Sequence, residues 1–177
     1  MTTVVLLAAG ASRRFGADCK LQALYRGKPL VRYAADAILE TGLPAVAVTA
    51  DPAVEHLLPE FRIVRSIGSQ AESLRAGLSQ VHDDRALVVL GDMPHVDGEL
   101  LLRLAATPAP AAASDGNRIT PPASIPRSLF ADIALLSGDQ GAGAVLRSRP
   151  DLHLISVDSL TLQDIDRPED ITGISKT

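Results

Sequence analysis

Three stretches of this chain are apolar almost without interruption: Val4-Val5-Leu6-Leu7-Ala8, Ala45-Val46-Ala47-Val48-Thr49 and Ala86-Leu87-Val88-Val89-Leu90. Lacking polar alternation, each predicts a strand covered on both faces. Between them the period changes. Leu30, Tyr33, Ala34, Ala37 and Ile38 recur at three- and four-residue spacing, which predicts a helix over 29–41 with Pro29 at its start and Gly42 just past its end. A short helix over 52–58 closed by Pro59, a short strand at Arg62-Ile63-Val64 and a helix over 70–81 follow. Asp97 reads as the cap of a helix running through Leu104. Beyond that point the pattern weakens. The Pro/Ala stretch 107–113 fits a strand or a linker, 126–136 and 140–148 look helical, 152–157 looks like a strand, and Pro168 opens a short terminal helix. Strands alternating with helices predict a three-layer αβα sandwich around a mostly parallel, Rossmann-like sheet. The expected organisation is a single domain over 1–177, without internal repeats.

In such a sheet ligands gather beyond the carboxyl ends of the strands. The first strand ends at Gly10 and the strand before Met93 ends at Gly91-Asp92, so the chemistry is expected where these two ends meet.

Composition narrows the classes. Apolar residues make up 46% of the chain, but aromatics only 3% and Trp is absent, so Ala, Leu and Val must fill the core. Few aromatics means few stacking platforms for single-stranded nucleic acid. A net charge of -4 also argues against broad binding to nucleic acid or anionic membrane. The single cysteine, Cys19, excludes an internal disulfide and any multi-cysteine metal cluster. No apolar run reaches the roughly 18 residues of a membrane span, and no signal peptide is visible, so a cytoplasmic location is expected. Charge is unevenly spread, however. Residues 1–30 hold Arg13, Arg14, Lys20, Arg26 and Lys28 against Asp18 alone, while six of the acids fall within 150–177. An acidic chain has kept one basic patch, near its first strand.

That patch lies around Ala9-Gly10-Ala11-Ser12-Arg13-Arg14-Phe15-Gly16. The stretch matches neither GxGxxG nor GxxxxGK[ST]. It offers glycine-permitted backbone N–H groups, a hydroxyl, two guanidiniums and, at Lys20, a mobile point charge, all suited to phosphate. Taken alone it reads equally well as a solvated turn. Asp92, directly after a buried strand and followed by Met93-Pro94, is placed to hold Mg²⁺, or simply to make a turn. Asp164 and Asp166 are separated by one strand-like alternation and share a face, with Asp166 or Arg167 able instead to cap the terminal helix. Ser73 follows a probable helix start at Gly68-Ser69-Gln70. His56, His82, His95 and His153 have no metal-site spacing, and no Ser-His-acid order stands out, which argues against covalent catalysis.

Taken together these stretches are similar to a known set. Leu7-Ala8-Ala9-Gly10-Ala11-Ser12-Arg13-Arg14-Phe15-Gly16 with Lys20 resembles the LAAGxSxR(M/F)G…K signature of the nucleotidyltransferase superfamily, whose fold is of the nucleotide-diphospho-sugar transferase type. Ser73-Leu74-Arg75-Ala76-Gly77-Leu78, Gly91-Asp92-Met93-Pro94 and Asp164-Ile165-Asp166-Arg167-Pro168-Glu169-Asp170 follow in the family's order. The nearest resemblance is to the MobA-like branch, especially molybdenum cofactor cytidylyltransferases. Gly138-Asp139-Gln140-Gly141-Ala142 matches that branch's GDxGA. Departures cluster on the acceptor side: the GxP-type stretch here reads Gly116-Asn117-Arg118-Ile119-Thr120-Pro121-Pro122, and Arg167 replaces the threonine of DIDTPED. Gly68 also stands one residue from the position expected of the base-framing glycine relative to Ser73.

The resemblance implies an enzyme that transfers a nucleoside monophosphate, CMP from CTP, to a phosphorylated acceptor such as molybdopterin and releases pyrophosphate. Leu7, Ala8, Ala9, Gly10, Ser12 and Ser73 would meet the nucleotide, Arg14 and Lys20 the phosphates and the leaving pyrophosphate, and Asp92 with Asp166 the Mg²⁺. Arg14, Lys20 and Asp92 would be the catalytic set. Ala8-Ala9-Gly10, where guanylyl relatives carry LAGG, points to CTP rather than GTP. A molybdoenzyme partner is compatible with this picture. The alternatives are a non-catalytic molybdenum cofactor-binding or insertion chaperone, and a nucleotidyltransferase with a sugar-phosphate or phospho-alcohol acceptor.

Overall fold

The computed structural model describes residues 1–9, 19–167 and 170–171. In chain order the elements are β1 (Thr2–Leu7), β2 (Leu24–Tyr25), β3 (Lys28–Pro29), α1 (Leu30–Glu40), β4 (Ala45–Val48), α2 (Pro52–His56), β5 (Arg62–Val64) and α3 (Gln70–Leu78). They continue with β6 (Arg85–Leu90), α4 (Gly98–Ala106), β7 (Ala111–Ser114), β8 (Ile119–Pro126), a 3-10 turn (Arg127–Leu129), α5 (Phe130–Ala134), α6 (Gly143–Leu146) and β9 (His153–Ser156). Seven strands form one sheet in the order β5-β4-β1-β6-β8-β7-β9, and β2 with β3 forms a separate two-stranded hairpin. Only β8 runs against its sheet neighbours; the pairings of β1 with β4 and β6, of β4 with β5, and of β7 with β9 are parallel.

Alternation along the strands sorts the core into two layers. Val4 and Leu6 of β1, with Leu87 and Val89 of β6, face α1 and α4, meeting Val31, Ala34, Ile38, Leu101 and Leu104. Val5, Val46, Val48, Ala86 and Val88 face the opposite way, toward Leu74 and Leu78 of α3, Ile133 of α5 and Leu146 of α6. This is the expected αβα sandwich. Helix α3 lies so close to the sheet that a Cβ at Gly77 would stand 2.4 Å from Val5 Cγ1, so glycine is the residue that permits the contact.

The helix starts follow their capping chemistry. Asp97 accepts from the Leu100 N–H at 2.8 Å, and Ser69 with Glu72 forms a reciprocal capping box on α3. The expected strands near 4–8, 45–49 and 86–90 are present. The stretch 107–113 resolves in favour of a strand, β7. The helices expected over 52–58 and 70–81 end early, at His56 and Leu78, and two later ones are shorter still: 126–136 begins as a 3-10 turn before α5, and only Gly143–Leu146 of 140–148 is helical. Strand β8 has no counterpart in the sequence pattern. Three of its eight residues are prolines, which lack the N–H a ladder needs. The register explains how they are accommodated. Ala112 pairs with Ala123 while Ala113 pairs with Thr120, so Pro121 and Pro122 fall in the irregularity, and Pro126 sits at the strand end.

Candidate active site

Strand pairing sets the foundation of the site. The Ala8 N–H donates to the Val48 carbonyl at 2.9 Å and the Gly91 N–H to the Leu7 carbonyl at 3.0 Å, so the ends of β1, β4 and β6 are tied at one edge. The switch point of the sheet lies between β1 and β6, since the chain runs from β1 to β4 on one side and from β6 to β7 on the other. Asp92 stands just past β6. The Ile165 N–H donates to the Asp92 carbonyl at 3.0 Å, which draws the distant 164–166 segment alongside.

Ile165 is fully buried against Tyr25 and Leu30, so the two flanking aspartates turn away from that apolar cluster, as their spacing predicts. Asp166 meets Lys20, whose ammonium donates to Asp92 Oδ2 at 2.7 Å and to Asp166 Oδ1 at 3.0 Å. The Lys20 side chain is only 12% exposed. Burial opposes its charge, but the facing Asp92 and then Asp166 carboxylates hold its pKa above the ordinary lysine value. Asp164 turns to Arg118, with 3.9 Å between its Oδ1 and Nη1. Burial raises the Asp164 pKa above the usual carboxylate value, and the charges of Asp166 and Asp92 push it the same way. Asp170 turns back on this segment, its carboxylate accepting from the backbone N–H groups of Asp166 and Arg167.

One atom in this cluster stands out. Among the described residues, Asp92 Oδ1 is buried without a hydrogen-bond partner. A buried carboxylate oxygen left in that state is costly unless something else neutralises it. No group of three or more His, Cys, Asp or Glu side chains forms a metal cage among the described residues. Two converging carboxylates suit a hard cation that takes its remaining ligands from water and phosphate oxygens, so Asp92 and Asp166 fit the Mg²⁺ read from the sequence.

The other expected site residues divide into groups. Leu7 and Ala9 pack on the layer containing α3, while Ala8 is buried on the opposite layer. Ser73 lies on α3, 1% exposed, with its Oγ 3.1 Å from Ser66 Oγ. Its hydrogen bonds among the described residues go to Ser66 and Ser69, not to Lys20, Asp92 or Asp166. The first turn of α3 is braced by the loop matching GDxGA, where the Ala71 N–H donates to the Gly138 carbonyl at 3.1 Å. Gly10, Ser12 and Arg14 lie outside the described residues.

A model of the MobA-like NTP transferase domain matches residues 4–153. The chain belongs to that family. Family and fold together place it among the nucleotidyltransferases. Nicotine blue oxidoreductase of Paenarthrobacter nicotinovorans is 30% identical over 194 residues, covering 98% of this chain and 93% of that protein. Rv0371c of Mycobacterium tuberculosis H37Rv superposes with a TM-score of 0.82 at 25% identity, covering 96% of this chain and 94% of the other. A manganese complex of Rv0371c superposes at 0.77 with 23% identity, covering 98% and 99%. A nucleotidyl transferase from Methanothermobacter thermautotroptrophicus shares the fold, with a TM-score of 0.82, 22% identity and coverage of 98% and 95%.

Sequence reasoning did not find the cavity beside the carboxylates. It measures about 420 Å³ and is lined by Leu90, Met93, Ile119 and Leu162 together with several polar side chains. These residues come from separate segments at no regular spacing. The one available signal was the unusual Gly116–Pro122 stretch, part of which forms the wall.

Proposed function

We propose that this chain is a Mg²⁺-dependent cytidylyltransferase, transferring CMP from CTP to a small phosphorylated acceptor, molybdopterin or a relative of it, and releasing pyrophosphate. The observation that carries the reading is the Lys20 bridge between Asp92 and Asp166, with Asp92 Oδ1 buried and unpartnered beside it. Asp92 and Asp166 would hold the cation, which when bound supplies Lewis-acid neutralisation of phosphate charge. The manganese complex of Rv0371c is compatible with a divalent ion in this fold.

Leu7, Ala8, Ala9, Gly10, Ser12 and Ser73 frame the nucleotide. Arg14 and Lys20 neutralise its outer phosphates. An oxygen of the acceptor phosphate attacks the α-phosphorus in line, the bond to the β-phosphate breaks, and its electron pair leaves on pyrophosphate. No enzyme nucleophile takes part, so the protein contributes positioning and charge. The reaction is assigned to one cytoplasmic domain over 1–177, with no nucleic-acid or membrane partner; a molybdoenzyme fits as recipient of the product. No helix among the described residues is long and apolar enough to cross a membrane.

Pyrophosphate release, measured with CTP, GTP, ATP and UTP against a panel of phosphorylated acceptors, tests the reading. Preference for CTP is expected, and a strong preference for GTP overturns the cytidylyl assignment. A second reading, oxidoreduction of a small organic substrate, is favoured by the 30% identity to nicotine blue oxidoreductase over nearly the full length of both proteins. Turnover of a reduced nicotinamide dinucleotide with no pyrophosphate from any nucleotide would select it.

A further inference from the structure

Asp92 and Asp166 come from distant parts of the chain, and two carboxylates brought together repel unless their backbones are held. One main-chain bond, from the Ile165 N–H to the Asp92 carbonyl, joins the two segments directly. Two further contacts meet on a single side chain, Tyr25 of the β2–β3 hairpin. Its ring packs with Ile165 and Leu30, both fully buried. Its hydroxyl stands 3.2 Å from His95 Nε2, a hydrogen bond that either partner can donate. His95 follows Asp92 by three residues, across Met93 and Pro94, and Tyr25 follows Lys20 by five. The segments that supply Lys20, Asp92 and Asp166 thus converge on one phenol.

Tyr25 is itself held from several sides. The Tyr33 hydroxyl donates to its carbonyl at 2.7 Å, and the Tyr33 and His95 rings meet its ring edge-on at 5.5 and 5.9 Å. The next residue, Arg26, has φ +46°, a left-handed conformation that a residue with a side chain keeps only where its surroundings over-determine it. Its guanidinium carbon lies 5.1 Å from the centre of the Tyr25 ring. A phenylalanine would fill the same buried space with no hydroxyl to satisfy. What the hydroxyl adds is the tie to His95.

We propose that Tyr25 is a positioning residue for the carboxylate pair. Its ring seats Ile165, its hydroxyl holds the Asp92 loop through His95, and together they keep Asp92 and Asp166 at the separation that one divalent cation requires. This rests on the metal-holding reading of the two aspartates and extends it to a pair that acts through the main chain. Ligands fixed before an ion arrives hold it more tightly than ligands that must be ordered on binding. Cutting the tie leaves the ring packed but frees the Asp92 loop to shift against Asp166, so the loss falls on cation affinity.

Titration of the full chain with Mn²⁺, followed by the electron paramagnetic resonance signal of the free ion, tests this. Tyr25→Phe is expected to weaken Mn²⁺ binding about fivefold, with circular dichroism showing the fold retained. His95→Leu should weaken it as much, and the double variant no further, because both changes remove the same bond. His95→Gln, whose amide extends toward the same hydroxyl, should keep most of the affinity. In turnover, Tyr25→Phe should raise the Mg²⁺ concentration for half-maximal pyrophosphate release by a similar factor and leave the nucleotide KM unchanged. Wild-type Mn²⁺ affinity in Tyr25→Phe, additive losses in the double variant, or a His95→Gln as weak as His95→Leu overturns the proposal. Asp92→Asn separates the two readings. If it binds Mn²⁺ as wild type does, or if wild type binds none, the metal-holding reading falls and the positioning role with it. If it loses Mn²⁺ while Tyr25→Phe keeps it, the positioning role alone falls.

Discussion

The two halves of the sheet place their polar side chains by different means. In β5-β4-β1-β6 all strands are parallel, and the site residues stand at strand ends held by main-chain hydrogen bonds: Ala8 to Val48, Gly91 to Leu7, Ile165 to Asp92. In β8-β7-β9 one strand runs backward, β7 is built of Ala111-Ala112-Ala113-Ser114, and Arg118 is positioned by the Asp115 carboxylate in a turn. The first arrangement is bound up with the stability of the core. The second depends on a few side-chain contacts at an edge. Substitutions at that edge therefore put the strand ends beside Lys20 and the carboxylates at little risk.

The sharpest way to break that comparison is to alter the parallel half's chemistry without its packing. Asp92→Asn keeps the side chain's size but removes the charge. Pyrophosphate release is expected to fall about a hundredfold, on the order of 3 kcal/mol in the barrier, while thermal unfolding shows the folded state retained. Undiminished turnover would refute the metal-holding role and with it the claim that chemistry belongs to this half.

Next in size is a change of packing alone. Gly77→Val would drive a branched side chain into Val5, whose Cγ1 already stands 2.4 Å from the position of a Cβ, with Val48 Cγ2 at 3.0 Å. A loss of about 3 kcal/mol is expected, read as a lower denaturation midpoint with an unchanged slope. The counterpart in the other half is Gly116→Ala. Here nothing lies within 4 Å of the added Cβ, and the cost comes only from φ +89°. That penalty is about 1 kcal/mol. If the turn substitution costs as much as the helix one, the contrast between a rigid and a tolerant half fails.

The same contrast governs what could be read from sequence. Strands β1, β4 and β6 are legible because burial on both faces leaves a continuous apolar run, and α1 because its apolar stripe lies between a proline and a glycine. Asp164 and Asp166 were readable as sharing a face, and Ile165 between them is indeed buried. Strand β8 was not legible, since Pro121, Pro122 and Pro126 argue against a strand unless the register shift between its partners is known. Nor was the hairpin of β2 and β3, whose strands are two residues each and too short to show a period. The Lys20 bridge could not be seen either. Three residues spread over 146 positions in sequence meet only because β6 and the 164–166 segment are joined by a main-chain bond. The cavity escaped for a similar reason, its lining drawn from segments that only the sheet order brings together.

The smallest expected effect concerns His95, three residues past Asp92 and half-buried, with its Nε2 3.2 Å from the Tyr25 hydroxyl. Burial, and then the nearby Arg26 charge, hold its pKa below the ordinary histidine value of 6.5. In the unfolded chain the imidazole returns to about 6.5. Between that value and the lower folded one, the unfolded state binds more protons, so stability is complete above about pH 6.5 and declines as pH falls through the folded pKa. His95→Gln removes this titration and should flatten the pH dependence of the melting temperature between about pH 7 and about pH 5 relative to wild type. Carboxylates such as Asp36, held below its usual value despite burial by Lys28 and Arg32, still titrate at lower pH and leave a residual slope common to both proteins. Because Tyr25 packs on Ile165, which in turn donates to Asp92, any acid effect through His95 belongs to the parallel half. A variant that melts with the wild-type pH profile would show that His95 contributes nothing to it.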